Sequence, residues 1–322
     1  MKITTARSVH HIVELRLTAQ WMTNHQDCAG CRRVPHPALP RGSGRDGSGP
    51  PTGRLVGPLT GPAGRPLGGP VDGEPRPPAL AARLHRWLVT SRPPADRTVP
   101  PADGRYGPAE PADPRPLTLL MLGDSLARGL GAGRPEETLG ARLAQALGEH
   151  LDRPVDLRVL ARVGATTAAL RHQVARADRL RPGIAVLIVG GNDVLLPLPL
   201  GRAARRFALV LQRLRDTGWH PVVVPCPDPG HAPGLRAPAR LLGTPRAHRL
   251  AHRQTRAAER AGVPVAVPAG PGFRDRAEHL LGPDGVHPSA RGHAEHATRI
   301  LPALITAAAA LPAAPAPVPG AP

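Results

Sequence analysis

From Pro116 onward the chain repeats one pattern: a short apolar run too brief for an ordinary helix, then a longer stretch with apolar residues at helical spacing. The runs are Leu117–Leu122, Val155–Leu160, Ile184–Val189, Pro221–Pro225 and Val263–Val267. The amphipathic stretches are Glu136–Leu151, Thr166–Leu180, Leu200–Thr217, His248–Ala261 and Ser289–Ala310. Runs that short and that continuously apolar read as strands buried on both faces, which is the condition of a parallel sheet sandwiched between helices. The alternation therefore predicts an α/β domain over residues 116–310, with three layers (α/β/α) and a five-stranded parallel sheet.

Nothing ahead of Pro116 repeats the pattern. Residues 35–115 are dominated by Pro, Gly, Arg and Ser, which cannot bury enough apolar area to offset the entropy of an ordered chain. Residues 1–115 are accordingly expected to form a mostly disordered extension, and 311–322 a disordered Ala/Pro tail. Two islands, His10–Trp21 and Ala79–Val89, have helical spacing without a fold to join. The same texture is compatible with a translation start downstream of Met1.

The formal net charge is +18, and because Lys2 is the one lysine, the positive side is almost wholly arginine. Such an excess suits phosphate groups or anionic lipid, although a GC-rich codon bias also enriches Arg, Ala, Gly and Pro together. Aromatic residues make up 2% of the chain, which leaves little to stack on bases and argues against a nucleic-acid partner of the single-stranded or RNA kind. Cys28, Cys31 and Cys226 build no disulfide framework, and Cys226, at the end of an apolar run, is expected to be a buried small hydrophobe. His25, Cys28, Cys31 and His36 have a zinc-like spacing, but no periodic structure surrounds them, and no metal site is expected there. The apolar positions of Val13–Met22 are broken by Glu14, Arg16 and Gln20, so they do not read as a secretory leader. No run reaches the roughly 18 apolar residues of a spanning helix. Together these point to cytoplasmic residence.

Parallel α/β sheets place their sites outside the carboxyl ends of the strands, so the residues that follow each apolar run carry the functional reading. The first run ends in Gly123-Asp124-Ser125, a sharp turn that leaves a hydroxyl at the mouth of the sheet. A serine needs a base to become a nucleophile and donors to hold an oxyanion. The second run leads to Gly164, a glycine opening a helix, and the third to Gly190-Gly191-Asn192-Asp193, which offers a side-chain amide. The fifth leads through a longer loop to Asp284-Gly-Val-His287, where the carboxylate can accept from one imidazole nitrogen while the other points away. Each block alone is an ordinary turn sequence. Their occurrence in order, each after a predicted strand, is what carries weight. Asp124 and Asp193 are expected to pin loops through hydrogen bonds, Pro227–Pro245 to form a wall beside the site, and Arg128 either to meet an anionic substrate or to be a solvated helix residue.

Taken as a set, Gly123-Asp124-Ser125-Leu126, Gly164, Gly190-x-Asn192-Asp193 and Asp284-x-x-His287 resemble the four signature blocks of the SGNH (GDSL) hydrolases, over about Leu117 to Ala310. The resemblance implies a flavodoxin-like fold and an esterase or lipase that hydrolyses carboxylic esters, often of lipids or sugars. It also implies that Ser125 is the nucleophile, His287 the base and Asp284 its orienting partner. The N–H groups of Ser125 and Gly164 and the Asn192 amide would form the oxyanion hole. Such chemistry requires neither a metal nor an organic cofactor, and the partner is a small-molecule ester. An acyltransferase would use the same acyl-enzyme. A reading from another class is an arginine-rich protein that binds polyanions through its N-terminal third, with a non-catalytic α/β domain.

Overall fold

In the computed structural model the residues described are 98–196, 198–267 and 275–312, with His231 described by its backbone alone. The islands at His10–Trp21 and Ala79–Val89 and the His25, Cys28, Cys31 and His36 quartet lie outside them. Four of the five apolar runs form parallel neighbours in one sheet: β2 (Leu117–Gly123), β3 (Val155–Val159), β4 (Ile184–Ile188) and β5 (His220–Val224). The order is β1-β3-β2-β4-β5. The sheet is mixed, because β1 (Gly104–Tyr106) runs antiparallel along β3.

Two features differ from the sequence reading. An edge strand stands ahead of Pro116, inside the stretch expected to be disordered. It has no apolar run to announce it; its pairing with β3 and the cross-strand contact of Arg105 Nε with Asp156 Oδ1 at 2.8 Å hold it in place. Conversely, the expected fifth strand at Val263–Val267 contributes one parallel bridge, Val223 to Val265, and no more. Pro264 has no N–H to donate, and Val267 is turned out to solvent at 64% exposure, so the segment touches the sheet edge and leaves it. The parallel part of the sheet therefore has four strands.

Helices cover both faces. In chain order they are α1 (Ser125–Arg128), α2 (Leu139–Leu151), α3 (Leu170–Ala177), α4 (Gly191–Leu195), α5 (Leu200–Asp216), α6 (Ala237–Arg260), α7 (Ala277–Leu280) and α8 (Ala290–Ala309). The period-two alternation of each strand sorts the core into two layers. Leu117, Leu119 and Met121 of β2 pack with α2 and α8 through Leu139, Leu143, Leu147, Ile300 and Leu304. Leu120 and Leu122 face α3 and α5 through Leu170, Val174, Phe207 and Leu211. Ile184, Val186 and Ile188 repeat the first arrangement, and Ala185 and Leu187 the second.

The largest departure among the helices is α6, expected from His248 but beginning at Ala237. Pro238 occupies its first turn, where the missing N–H is not needed. Pro245 lies inside it, depriving the Leu241 carbonyl of its usual donor on an exposed stretch where water can serve instead. The expected wall at Pro227–Pro245 is thus a loop over residues 227–236, containing a 3₁₀ turn at Pro229–His231, followed by the first turns of α6. Among the described residues no helix is long and apolar enough to cross a membrane.

Candidate active site

Strand β2 stops because its last residue has no room to be anything but glycine. Gly123 has φ 134°, and a Cβ placed on it would stand 1.8 Å from the carbonyl oxygen of Ile188. That approach lets the Asp124 N–H donate to Ile188 O at 3.1 Å, tying the turn to the end of β4. The Asp124 carboxylate then accepts from Leu126 N at 3.1 Å and caps α1, which leaves Ser125 as the first helical residue. Buried Gln173, on α3, closes the strand end from the other side. Its Oε1 accepts from Gly123 N at 2.8 Å, and its Nε2 donates to Gly123 O at 2.9 Å.

The segment that carries the histidine is built from backbone contacts between loops. Gly282 N donates to His287 O at 2.7 Å, and Leu281 and Pro288 form an antiparallel bridge, so residues 281–288 close on themselves. Ser289 then caps α8 by accepting from Gly292 N. Two glycines let other loops press against this turn. A Cβ on Gly234 would lie 1.7 Å from Asp284 O, and one on Gly131 would lie 2.1 Å from Pro288 O. The loop after β5 is further held by Gly234 N donating to Gly285 O at 2.9 Å.

These two constructions bring the predicted residues together. Asp284 Oδ1 accepts from the N–H groups of Val286 at 2.9 Å and His287 at 3.0 Å, while its Oδ2 lies 2.6 Å from His287 Nδ1. The far ring nitrogen, Nε2, is 3.0 Å from Ser125 Oγ. A buried carboxylate accepting at Nδ1 fixes the proton there and leaves Nε2 with a lone pair for the serine O–H. Burial works against the charge on Asp284, but the His287 ring and the two N–H groups outweigh it and hold the carboxyl below its usual range.

The remaining candidates lie in the loops after β3 and β4. Gly164 has φ 81°, and the space where its side chain would stand is empty. Asn192, on α4, donates from Nδ2 to Ala165 O at 2.9 Å, which spends one of its two amide hydrogens and orients the other. Buried Asp193 accepts from the N–H and Oγ1 of Thr167 through Oδ2, at 2.8 and 3.0 Å. Asn192 and Asp193 together therefore clamp the loop that carries Gly164. As the first residue of α1, Ser125 has an N–H with no partner inside its helix.

Burial pushes the Asp124 carboxyl up to about 7, and the nearby Asp193 carboxylate adds to the effect. Arg128 is half-buried, with Nη1 enclosed and unpartnered, so it is not the solvated helix arginine of one of the two expectations. Cys226 is a buried member of a small cluster with Val194 and Leu250, and burial pushes its thiol well up.

Sequence reasoning missed the residues that brace these loops. Gln254, fully buried on α6, accepts from Cys226 N at 2.8 Å and donates to Val189 O at 2.9 Å, doing for the ends of β4 and β5 what Gln173 does for β2. Arg246 donates to the carbonyls of Asp193, Val194, Leu196 and Leu198. His293 reaches Leu130 O at 3.1 Å from a fully buried position, and burial holds its imidazole down at about 4. A signal existed for the glutamines: Gln173 falls within the apolar stripe of Leu170, Val174 and Ala177.

Residues 121–295 match the family described as GDSL-like lipase/acylhydrolase. The chain belongs to that family. Among curated proteins it is 35% identical over 207 residues to a GDSL-like esterase of Mycobacterium tuberculosis, a match covering 61% of this chain and 66% of the relative. Similar solved structures include the psychrotrophic esterase EstA from Pseudoalteromonas sp., 17% identical with a TM-score of 0.44, covering 59% of this chain and 97% of that one. An acetylxylan esterase from Geobacillus stearothermophilus is 17% identical with a TM-score of 0.44, covering 61% and 96%. The family match begins within β2 and ends within α8, so it takes in all four GDSL-type blocks.

Proposed function

We propose that the protein is a serine hydrolase of carboxylic esters that works through an acyl-enzyme. The observation that carries this reading is the continuous line of contacts from Asp284 Oδ2 through the His287 ring to Ser125 Oγ, at 2.6 and 3.0 Å. Ser125 Oγ attacks the ester carbonyl as His287 Nε2 takes its proton, and the tetrahedral oxyanion is held by the N–H groups of Ser125 and Gly164 and the second amide hydrogen of Asn192. Collapse expels the alcohol, which takes the proton back from Nε2. Water, deprotonated by the same nitrogen, attacks the acyl-Ser125 carbonyl, and the acid leaves as Ser125 regains its proton. Asp284 remains ionised and steadies the imidazolium in both halves. Its low proton affinity supports that role, since Oδ1 is already occupied by two backbone donors.

The family membership and the esterase relative support the same reaction class. The deciding experiment is hydrolysis of a chain-length series of p-nitrophenyl esters by the wild type and by Ser125→Ala. Loss of the serine is expected to lower kcat by on the order of 10⁶-fold. Equal rates from the two proteins would end the assignment.

A further inference from the structure

Helices α5 and α6 lie side by side, and on their outer faces exposed arginines outnumber the carboxylates, Asp216 and Glu259. At 100° per residue, Leu241, Leu242, Pro245, Arg249, Arg253 and Arg256 of α6 fall within one arc of the helix, and all are exposed. On the neighbouring face of α5, Arg202, Arg205 and Arg206 are exposed as well. None of these six arginines makes an ion pair among the described residues. The two faces meet at Gly201, where the position of a Cβ would lie 3.9 Å from Arg205 Nη1 and 3.9 Å from Arg253 Nη1. Two guanidinium groups converge there without a carboxylate, the reverse of what an isolated surface would favour and what an anionic partner relieves.

The apolar part of the arc is placed differently from the basic part. Leu241 and Leu242 are 74% and 69% exposed, in the first turns of α6. Those turns rest on the loops that carry the site. A Cβ on Gly243 would touch Pro229 at 2.7 Å and Leu195 at 3.7 Å, and Arg246, one turn on, bonds the carbonyls that follow Asn192. The first turns of the helix thus carry two exposed aliphatic side chains and pack against loops of the site, and a row of exposed arginines follows along the same arc.

We propose that the α5–α6 face is a docking surface for an anionic lipid bilayer. The arginines would meet the headgroup phosphates while Leu241 and Leu242 enter the acyl boundary, turning the opening of the site toward the membrane. A nucleic acid would use the arginines but has no use for paired exposed leucines, and this face has no aromatic residue for bases. Charge complementarity and the leucine pair together fit a lipid surface.

The test is co-sedimentation of the full-length protein with phosphatidylcholine vesicles with and without phosphatidylglycerol. Three variants are compared: the pair Leu241→Ser with Leu242→Ser, the triple Arg249→Gln, Arg253→Gln and Arg256→Gln, and a triple of N-terminal arginines, Arg76→Gln, Arg83→Gln and Arg86→Gln. The wild type is expected to bind the phosphatidylglycerol vesicles alone. The α6 arginine triple should lower that binding on the order of 100-fold and the leucine pair about 10-fold, with the N-terminal variant near wild type. Unchanged circular dichroism of each variant shows that the fold is kept. No binding by the wild type, equal binding to both vesicle types, or α6 variants that bind like the wild type would each overturn the proposal. So would retention on duplex DNA without retention on vesicles, or a leucine-dependent dimer by light scattering. The readout needs no catalysis, so it stands or fails separately from the serine mechanism.

Discussion

The two halves of the candidate site are made in different ways. Ser125 is set by a strand end, where β2, the Gly123 turn, the Asp124 cap and the Gln173 clamp are all within reach of one another and of the sheet. His287 is set by loops leaning on loops: the closed turn at residues 281–288, with Gly131 and Gly234 allowing other backbones to press on it. The first half inherits its position from the sheet's hydrogen-bond ladder, whose geometry is stiff. The second depends on close backbone approaches between segments far apart in sequence, so damage there should reach activity before it reaches stability.

Variants can break this contrast or sharpen it. On the loop side, Asp284→Asn retains the shape but disturbs the His287 tautomer, and kcat should fall on the order of 10⁴-fold with little change in Tm. A loss under 10-fold would remove Asp284 from the orienting role. On the strand-end side, Gly123→Ala must move Ile188 or the turn and adopt an unfavourable φ, so it should destabilise the fold by roughly 3–5 kcal/mol in urea melts. Asn192→Ala should lower kcat by on the order of 10²- to 10³-fold, leaving KM nearly unaltered. Gly234→Ala, by contrast with Gly123→Ala, pushes on Asp284 O from a loop outside the sheet's hydrogen-bond ladder. A displacement of about 1 Å in the charge partner should cost on the order of 10²-fold in kcat and only about 1–3 kcal/mol of stability. If Gly234→Ala unfolds the protein as readily as Gly123→Ala, the two halves are not mechanically distinct.

The smallest expected effect concerns pH. Burial raises the Asp124 carboxyl to about 7 in the folded chain, against about 3.9 unfolded. The raised value means that the folded state holds the proton more tightly. That contribution to stability is complete below the unfolded pKa and is lost as pH rises through the folded one. Asp124→Asn cannot ionise, so its Tm relative to wild type should climb between about pH 4 and pH 7 and level off above. A Tm difference flat across that range would show that Asp124 is ionised throughout.

How much of this was legible beforehand follows the range of the interactions. Strands β2 to β5 were readable because burial on both faces demands a continuous apolar run, and Ser125 because a glycine turn at the end of such a run leaves few alternatives. The Asp284 and His287 spacing was readable for a similar reason, since a three-residue separation in a tight turn brings carboxylate and ring together locally. Strand β1 was not, because Gly104–Tyr106 has no apolar run of its own and is held by β3. Nor was the shortfall at Val263–Val267, where β-branched residues signalled a strand but Pro264 and the outward turn of Val267 limited it to a bridge.

The amino-acid sequence by itself thus determined the layered α/β architecture, the family and the residue types at each strand end, because periodicity and turn chemistry act over a few residues. Only the tertiary structure decided that His287 Nε2 comes to 3.0 Å from Ser125 Oγ, that Gln173 and Gln254 clamp strand ends, and that arginines of α5 and α6 converge at Gly201. Those arrangements join segments separated by tens to more than a hundred residues, and their distances are set by how closely whole backbones pack, a quantity that no local pattern encodes.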